Sequence, residues 1–163
     1  MPNEADTRTD EEQILQLHLD WVQANRTGDT AWCRANMRSG PDGTRLFNTN
    51  GSEYVGVEHW CSLWDIYRNR IKGDRVKKEP PIFESVDPHI EVCGDIAWVT
   101  SWFRAQADVQ GTPLPELSRA TEIWKRTDDG WKMVHGHWSF GGPGAPADGS
   151  GPELKYQEWT PYH

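Results

Sequence analysis

Three cysteines in 163 residues, no long apolar run and a shortage of positive charge set the first limits on this chain. Cys33, Cys61 and Cys93 are odd in number and widely spaced, which excludes a disulfide framework or a zinc ribbon as the organising device. A reduced, cytoplasmic setting is the resulting expectation. No stretch approaches the roughly 20 apolar residues that a membrane span needs, so no membrane partner is expected. Lys and Arg number 17 against 25 Asp and Glu, a net charge of −8, which argues against a nucleic-acid partner. The first residues, Met-Pro-Asn-Glu-Ala-Asp, are polar and acidic and do not resemble a secretion signal. Tryptophan is what the chain has in excess: ten, against four Phe and four Tyr. An indole is costly to place without a large apolar volume and a partner for its N–H, so the composition points either to an aromatic-lined cavity or to a tryptophan-rich core.

The pattern of apolar residues divides the chain into a polar start over 1–10, a folded region over 11–140 and a Gly/Pro-rich tail over 141–163. Asp10-Glu-Glu opens a helix with Ile14, Leu17, Trp21 and Val22 at helical spacing, closed by Thr27-Gly28. Asp29 is placed to cap a short second helix running through Trp32, Cys33 and Met37. Two short strands, Arg45–Asn48 and Glu53–Val55, flank the hairpin dipeptide Asn50-Gly51. Val57, Trp60, Cys61, Trp64 and Tyr67 define a third amphipathic helix, followed by a basic linker over Lys72–Lys78. Strands then dominate: Ile82–Val92, Ile96–Val109, Arg119–Arg126 and Trp131–Ser139, the last two joined by Thr-Asp-Asp-Gly. Helices first and a four-strand meander last indicate an α+β fold, with three N-terminal helices packed on one face of a curved antiparallel sheet.

Three segments carry a resemblance: Asp87-Pro-His-Ile-Glu-Val-Cys-Gly-Asp-Ile-Ala-Trp98, Thr121-Glu-Ile-Trp-Lys-Arg126, and Asp129-Gly-Trp-Lys-Met-Val-His-Gly-His-Trp-Ser139. Together with the element order they resemble the nuclear transport factor 2-like, or SnoaL-like, superfamily of ketosteroid-isomerase-like cones. Within it they are most similar to the association domains of calcium/calmodulin-dependent kinases. The resemblance spans roughly residues 11–140. It implies a cone-shaped sheet, a pocket between sheet and helices, and homodimers formed through the outer sheet face. It also implies that Arg104, Glu122 and Trp138 face the pocket, with Trp21 nearby. A ketosteroid isomerase would have its general base near Asn48, where this chain has a residue that cannot serve. Because the superfamily holds isomerases, cyclases, dehydratases, hydrolases and assembly modules, fold alone does not give function.

Alternation sorts the strand residues into two sets. Trp98, Thr100, Trp102 and Arg104 share one face of their strand, opposite Val99, Ser101 and Phe103. Glu122 shares a face with Ala120 and Trp124, while His135, His137 and Ser139 oppose Gly136 and Trp138. A carboxyl among tryptophans suits a proton carrier, and a nearby arginine suits an anionic substrate group or a developing oxyanion. Glu122 and Arg104 could equally form a cross-strand ion pair that holds the sheet. His135 and His137, at i and i+2, are spaced as in strand-borne metal sites. A third ligand would have to come from His18, His59 or His89, and Phe140-Gly-Gly supplies no further carboxylate, so no metal is expected. The pair could otherwise serve acid–base chemistry or bond across the sheet or a dimer interface. His18, one turn before Trp21, is a candidate second proton carrier.

The expected function is therefore a small enzyme, without cofactor, that acts by acid–base chemistry on an apolar or aromatic small molecule. Its candidate catalytic residues are Glu122, Arg104, His135, His137 and His18. Its candidate substrate-binding residues are Trp21, Asn48, Tyr54, Trp64, Trp98, Trp102 and Trp138. The alternative is a non-catalytic ligand-binding or oligomerisation module. A metal-dependent enzyme and an iota-type carbonic anhydrase are lesser readings.

Overall fold

The computed structural model describes residues 9–40, 43–71, 83–105 and 118–140. The basic linker, the end of the strand beyond Ala105 and the Gly/Pro-rich tail lie outside these residues. Helix α1 spans Asp10–Thr27. Thr9 and Glu12 close a reciprocal capping box at its start, and Gly28 ends it in the left-handed conformation at φ 66°. Asp29 then accepts the Ala31 and Trp32 amides to cap α2, Thr30–Asn36. Met37 leaves the helix in extended conformation and bridges to Met133, so the second helix stops one residue short of the sequence pattern.

Strands β1 (Arg45–Phe47) and β2 (Glu53–Val55) form the short hairpin, and α3 covers Val57–Ile71. Strands β3 (Phe83–Cys93), β4 (Ile96–Ala105), β5 (Ser118–Thr127) and β6 (Gly130–Phe140) form the meander. All six join one sheet in the order β2-β1-β6-β5-β4-β3. The sheet is mixed rather than purely antiparallel, because β1 lies parallel to β6 with Leu46 opposite Gly136. Register shifts break the β3–β4 and β5–β6 ladders at Val86/His89 and Ile123/Trp124. The first contains Asp87 at φ 52°, followed by Pro88. Such bulges bend a strand and raise its twist, which curves the sheet around the helices.

One face of the sheet is buried against the helices. It carries Leu46, Ala97, Val99, Phe103, Ala120, Glu122, Trp124, Met133 and Trp138, all buried. Tryptophans fill the space above it. Trp21 of α1 lies 5.6 Å from Trp60 and 5.5 Å from Trp138, ring centre to ring centre, and Trp60 stacks on Trp138 at 5.9 Å. Each such pair contributes about 0.5–1.5 kcal/mol beyond its buried area. Gly136 explains how the Trp138 ring fits: a Cβ there would come within 2.3 Å of that indole. The missing side chain is the seat of the ring.

Candidate functional site

A buried polar pair joins α1 to β5. His18 projects from the buried side of α1, with Ile14 one turn before it and Trp21 and Val22 one turn after. Glu122 points up from the centre of β5, opposite Val99 on one neighbour and Gly136 on the other. His18 Nδ1 lies 3.0 Å from Glu122 Oε2, and each residue is 1 % exposed. The second ring nitrogen, Nε2, lies 2.7 Å from the hydroxyl of Ser85 on β3. Both nitrogens of one buried imidazole are thus occupied, by a carboxyl on one side and a hydroxyl on the other. An imidazole can donate from one nitrogen and accept at the other, which is what a proton carrier needs.

The surroundings are apolar and contain unused donors. Trp21 Nε1 and Trp60 Nε1 are buried with no acceptor among the described residues, as is the Ser101 hydroxyl. Buried donors normally find partners, so each of these three groups has hydrogen-bonding capacity to spare. Phe83 and Phe103 pack at 5.6 Å beside Ser85, and Trp64 meets Phe83 at 6.4 Å. The thiol of Cys33, on α2, is no nucleophile at neutral pH, since burial pushes it up to about 12.

Other candidates from the sequence lie elsewhere. Arg104 pairs with Glu84 on the neighbouring strand, Nη1 to Oε2 at 3.2 Å, and both side chains are about half exposed. Pairing places Trp98 opposite Ile123, Thr100 opposite Thr121 and Trp102 opposite Arg119, whereas Val99 faces Glu122. Arg104, Trp98 and Trp102 therefore occupy the outer sheet face, away from Glu122, and a Glu122–Arg104 ion pair does not form. Alternation alone could not warn of this, because both faces of β4 carry large apolar groups. His135 and His137 are also outside, flanking the exposed Phe47 ring edge-on at 5.6 and 5.7 Å. Among the described residues no three His, Cys, Asp or Glu side chains gather as a metal site.

Trp21, Trp64 and Trp138 line the interior, and Tyr54 joins them by packing on Trp60 at 5.1 Å while its hydroxyl accepts from Asn50. Asn48 is a turn residue whose Oδ1 accepts from Thr49. It also borders a surface groove of about 410 Å³ with Phe47, Thr49, His137, Trp138 and Ser139. Trp138 belongs both to this groove and to the core. Ser85 carries no sequence motif. Its place beside His18, 67 residues away in the chain, follows only from how α1 lies across β3.

Solved structures share this architecture at identities that speak for fold alone. An NTF2-like protein from Streptomyces avermitilis, provisionally named a dehydratase, is 22 % identical with a TM-score of 0.62, covering 80 % of this chain and 94 % of its own. The CaMKII hub of S. rosetta is 21 % identical with a TM-score of 0.60, covering 81 % and 97 %. A protein from Parabacteroides distasonis ATCC 8503, provisionally named a ketosteroid isomerase, is 20 % identical with a TM-score of 0.55, covering 88 % and 96 %. The family model described as a SnoaL-like domain matches residues 14–143, and the chain belongs to that SnoaL-like family.

Proposed function

We propose that this chain is a small cofactor-independent enzyme that moves protons on an apolar or aromatic small molecule, in the manner of an isomerase or dehydratase. One observation carries the reading: the fully buried His18–Glu122 pair, at 3.0 Å. His18 is the proton carrier, and Glu122 orients its ring and balances the imidazolium that forms. The indole donors of Trp21 and Trp60 would hold a substrate oxygen. Arg104, His135 and His137 have no part in this site. They belong to the outer face, where half-buried Trp98, Trp102 and Ile123 supply an apolar surface for a second copy of the chain. Exposed Phe47 adds to it. A homodimer through that face is part of the proposal. No described helix is long and apolar enough to cross a membrane.

The direct test is deuterium exchange next to the carbonyl of small aromatic ketones in D2O, followed by NMR. The intact protein is expected to catalyse exchange, and Glu122→Gln to slow it by roughly 10²–10⁴-fold. Binding of the same ketones, seen as quenched tryptophan fluorescence, with no exchange would favour the second reading. That reading is a ligand-binding or assembly module, supported by the likeness in fold to the CaMKII hub.

A further inference from the structure

Ser85, His18 and Glu122 form a continuous line across the concave face of the sheet, from β3 to β5. A carboxylate only accepts hydrogen bonds, so with Glu122 ionised the Nδ1–H of His18 donates to it and Nε2 is left as an acceptor. Ser85 Oγ, 2.7 Å from that Nε2, is then the donor. Hydroxyl, imidazole and carboxylate in this order are the parts of an activated serine nucleophile, which is recognised by geometry and not by chain order.

We propose that Ser85 is a nucleophile and that the chain hydrolyses small esters with an aromatic or similarly apolar acyl group. The inference rests on His18 and Glu122 acting as the proton-carrying pair. Ser85 Oγ would bond to the ester carbonyl carbon as its proton passes to His18 Nε2. The bond from that carbon to the alcohol oxygen then breaks, and the departing alcohol takes the proton from Nε2. Water next attacks the acyl-serine, giving a proton to His18. The Ser85 oxygen leaves with that proton, and the carboxylic acid is released.

Two further features fit this chemistry. Ser101 lies on β4 between Phe103, the pairing partner of Ser85, and Val99, the pairing partner of Glu122, on the same face of the sheet. Its buried hydroxyl has no partner among the described residues. Two residues from Phe103 on the strand beside Ser85, it is offered as the donor for the carbonyl oxygen of an ester bound at Ser85. The aromatic wall of Phe83, Phe103 and Trp64 beside Ser85 suits a flat acyl group. Ser85 is half-buried, whereas His18 and Glu122 are fully buried, so the hydroxyl is the end of the line that an ester reaches first.

The test is phenylmethanesulfonyl fluoride on the full chain, read by intact mass and by peptide mapping. One sulfonyl adduct per chain on Ser85 is expected, formed roughly 10²-fold more slowly in His18→Ala. Ser85→Ala, checked for folding by circular dichroism, should take up none. An adduct at another residue, or equal labelling of Ser85→Ala, overturns the nucleophile. So does an absence of adduct in protein that still catalyses deuterium exchange, an outcome that leaves the acid–base reading intact. Protein that is labelled at Ser85 but exchanges no deuterium supports the nucleophile and sinks isomerisation.

Discussion

His18 and Glu122 are 104 residues apart in sequence and 3.0 Å apart in space, with 1 % of each residue exposed. The contact ties α1 to the middle of β5 through the core, and its energetics follow from burial. Removing one member leaves the other without its partner away from water, which costs about 3–5 kcal/mol. Replacing both by apolar groups of similar size is much less costly. His18→Leu should therefore lower the urea unfolding midpoint strongly, and the His18→Leu/Glu122→Leu double variant should recover part of the loss. Simple additivity of the two single changes would show that the groups are not coupled.

Gly136 should not tolerate even a methyl group. A Cβ there meets Trp138 ring carbons at 2.3 and 2.7 Å and the Leu46 side chain at 2.9 Å. The indole cannot simply step aside, because Trp21 and Trp60 hold it from above. Gly136→Ala is expected to destabilise the fold by about 1–3 kcal/mol and to shift tryptophan emission to the red. Unchanged emission and stability would mean that Trp138 is not seated there.

The start of α1 should set part of the response to acid. The Arg126 guanidinium, 2.5 Å from Asp10, holds that carboxyl below its usual 3.8. A carboxyl depressed by folding contributes stability in full above its unfolded value and loses it as pH falls through the folded one. The difference in urea midpoint between the parent chain and Asp10→Asn should thus be fully present above the ordinary carboxylate value of 3.8 and be lost as pH falls through the lowered value of the paired Asp10. High salt should shrink it, since both groups are solvent-accessible. A difference that grows towards acid would contradict the pairing.

The three thiols should separate by access. Cys33 and Cys61 are buried and Cys93 is exposed. With Cys33 pushed up to about 12 by burial, the native chain should react with a disulfide reagent at Cys93 alone, and at all three once denatured. Rapid native reaction at Cys33 would show that α2 opens easily.

Local signals determined the elements. The Asp10 start, the Gly28 stop, the Asp29 cap and the Asn50-Gly51 hairpin each arise from backbone preferences of a few neighbouring residues, and they stand in the structure where the sequence put them. Together with the segments from Asp87 to Ser139 they also made the SnoaL-like architecture legible. Tertiary structure decided the rest. Period-two alternation states which residues share a face, but not which face the helices cover. In β4 both faces are apolar, so only the packing of α1 and α3 buried Val99 and Phe103 and left Arg104, Trp98 and Trp102 outside. The parallel docking of β1 on β6 was likewise silent, because pairing between distant strands leaves no local mark. Ser85 could not be picked out for the same reason: a serine in a strand acquires chemistry only when a helix from the other end of the fold sets an imidazole 2.7 Å away.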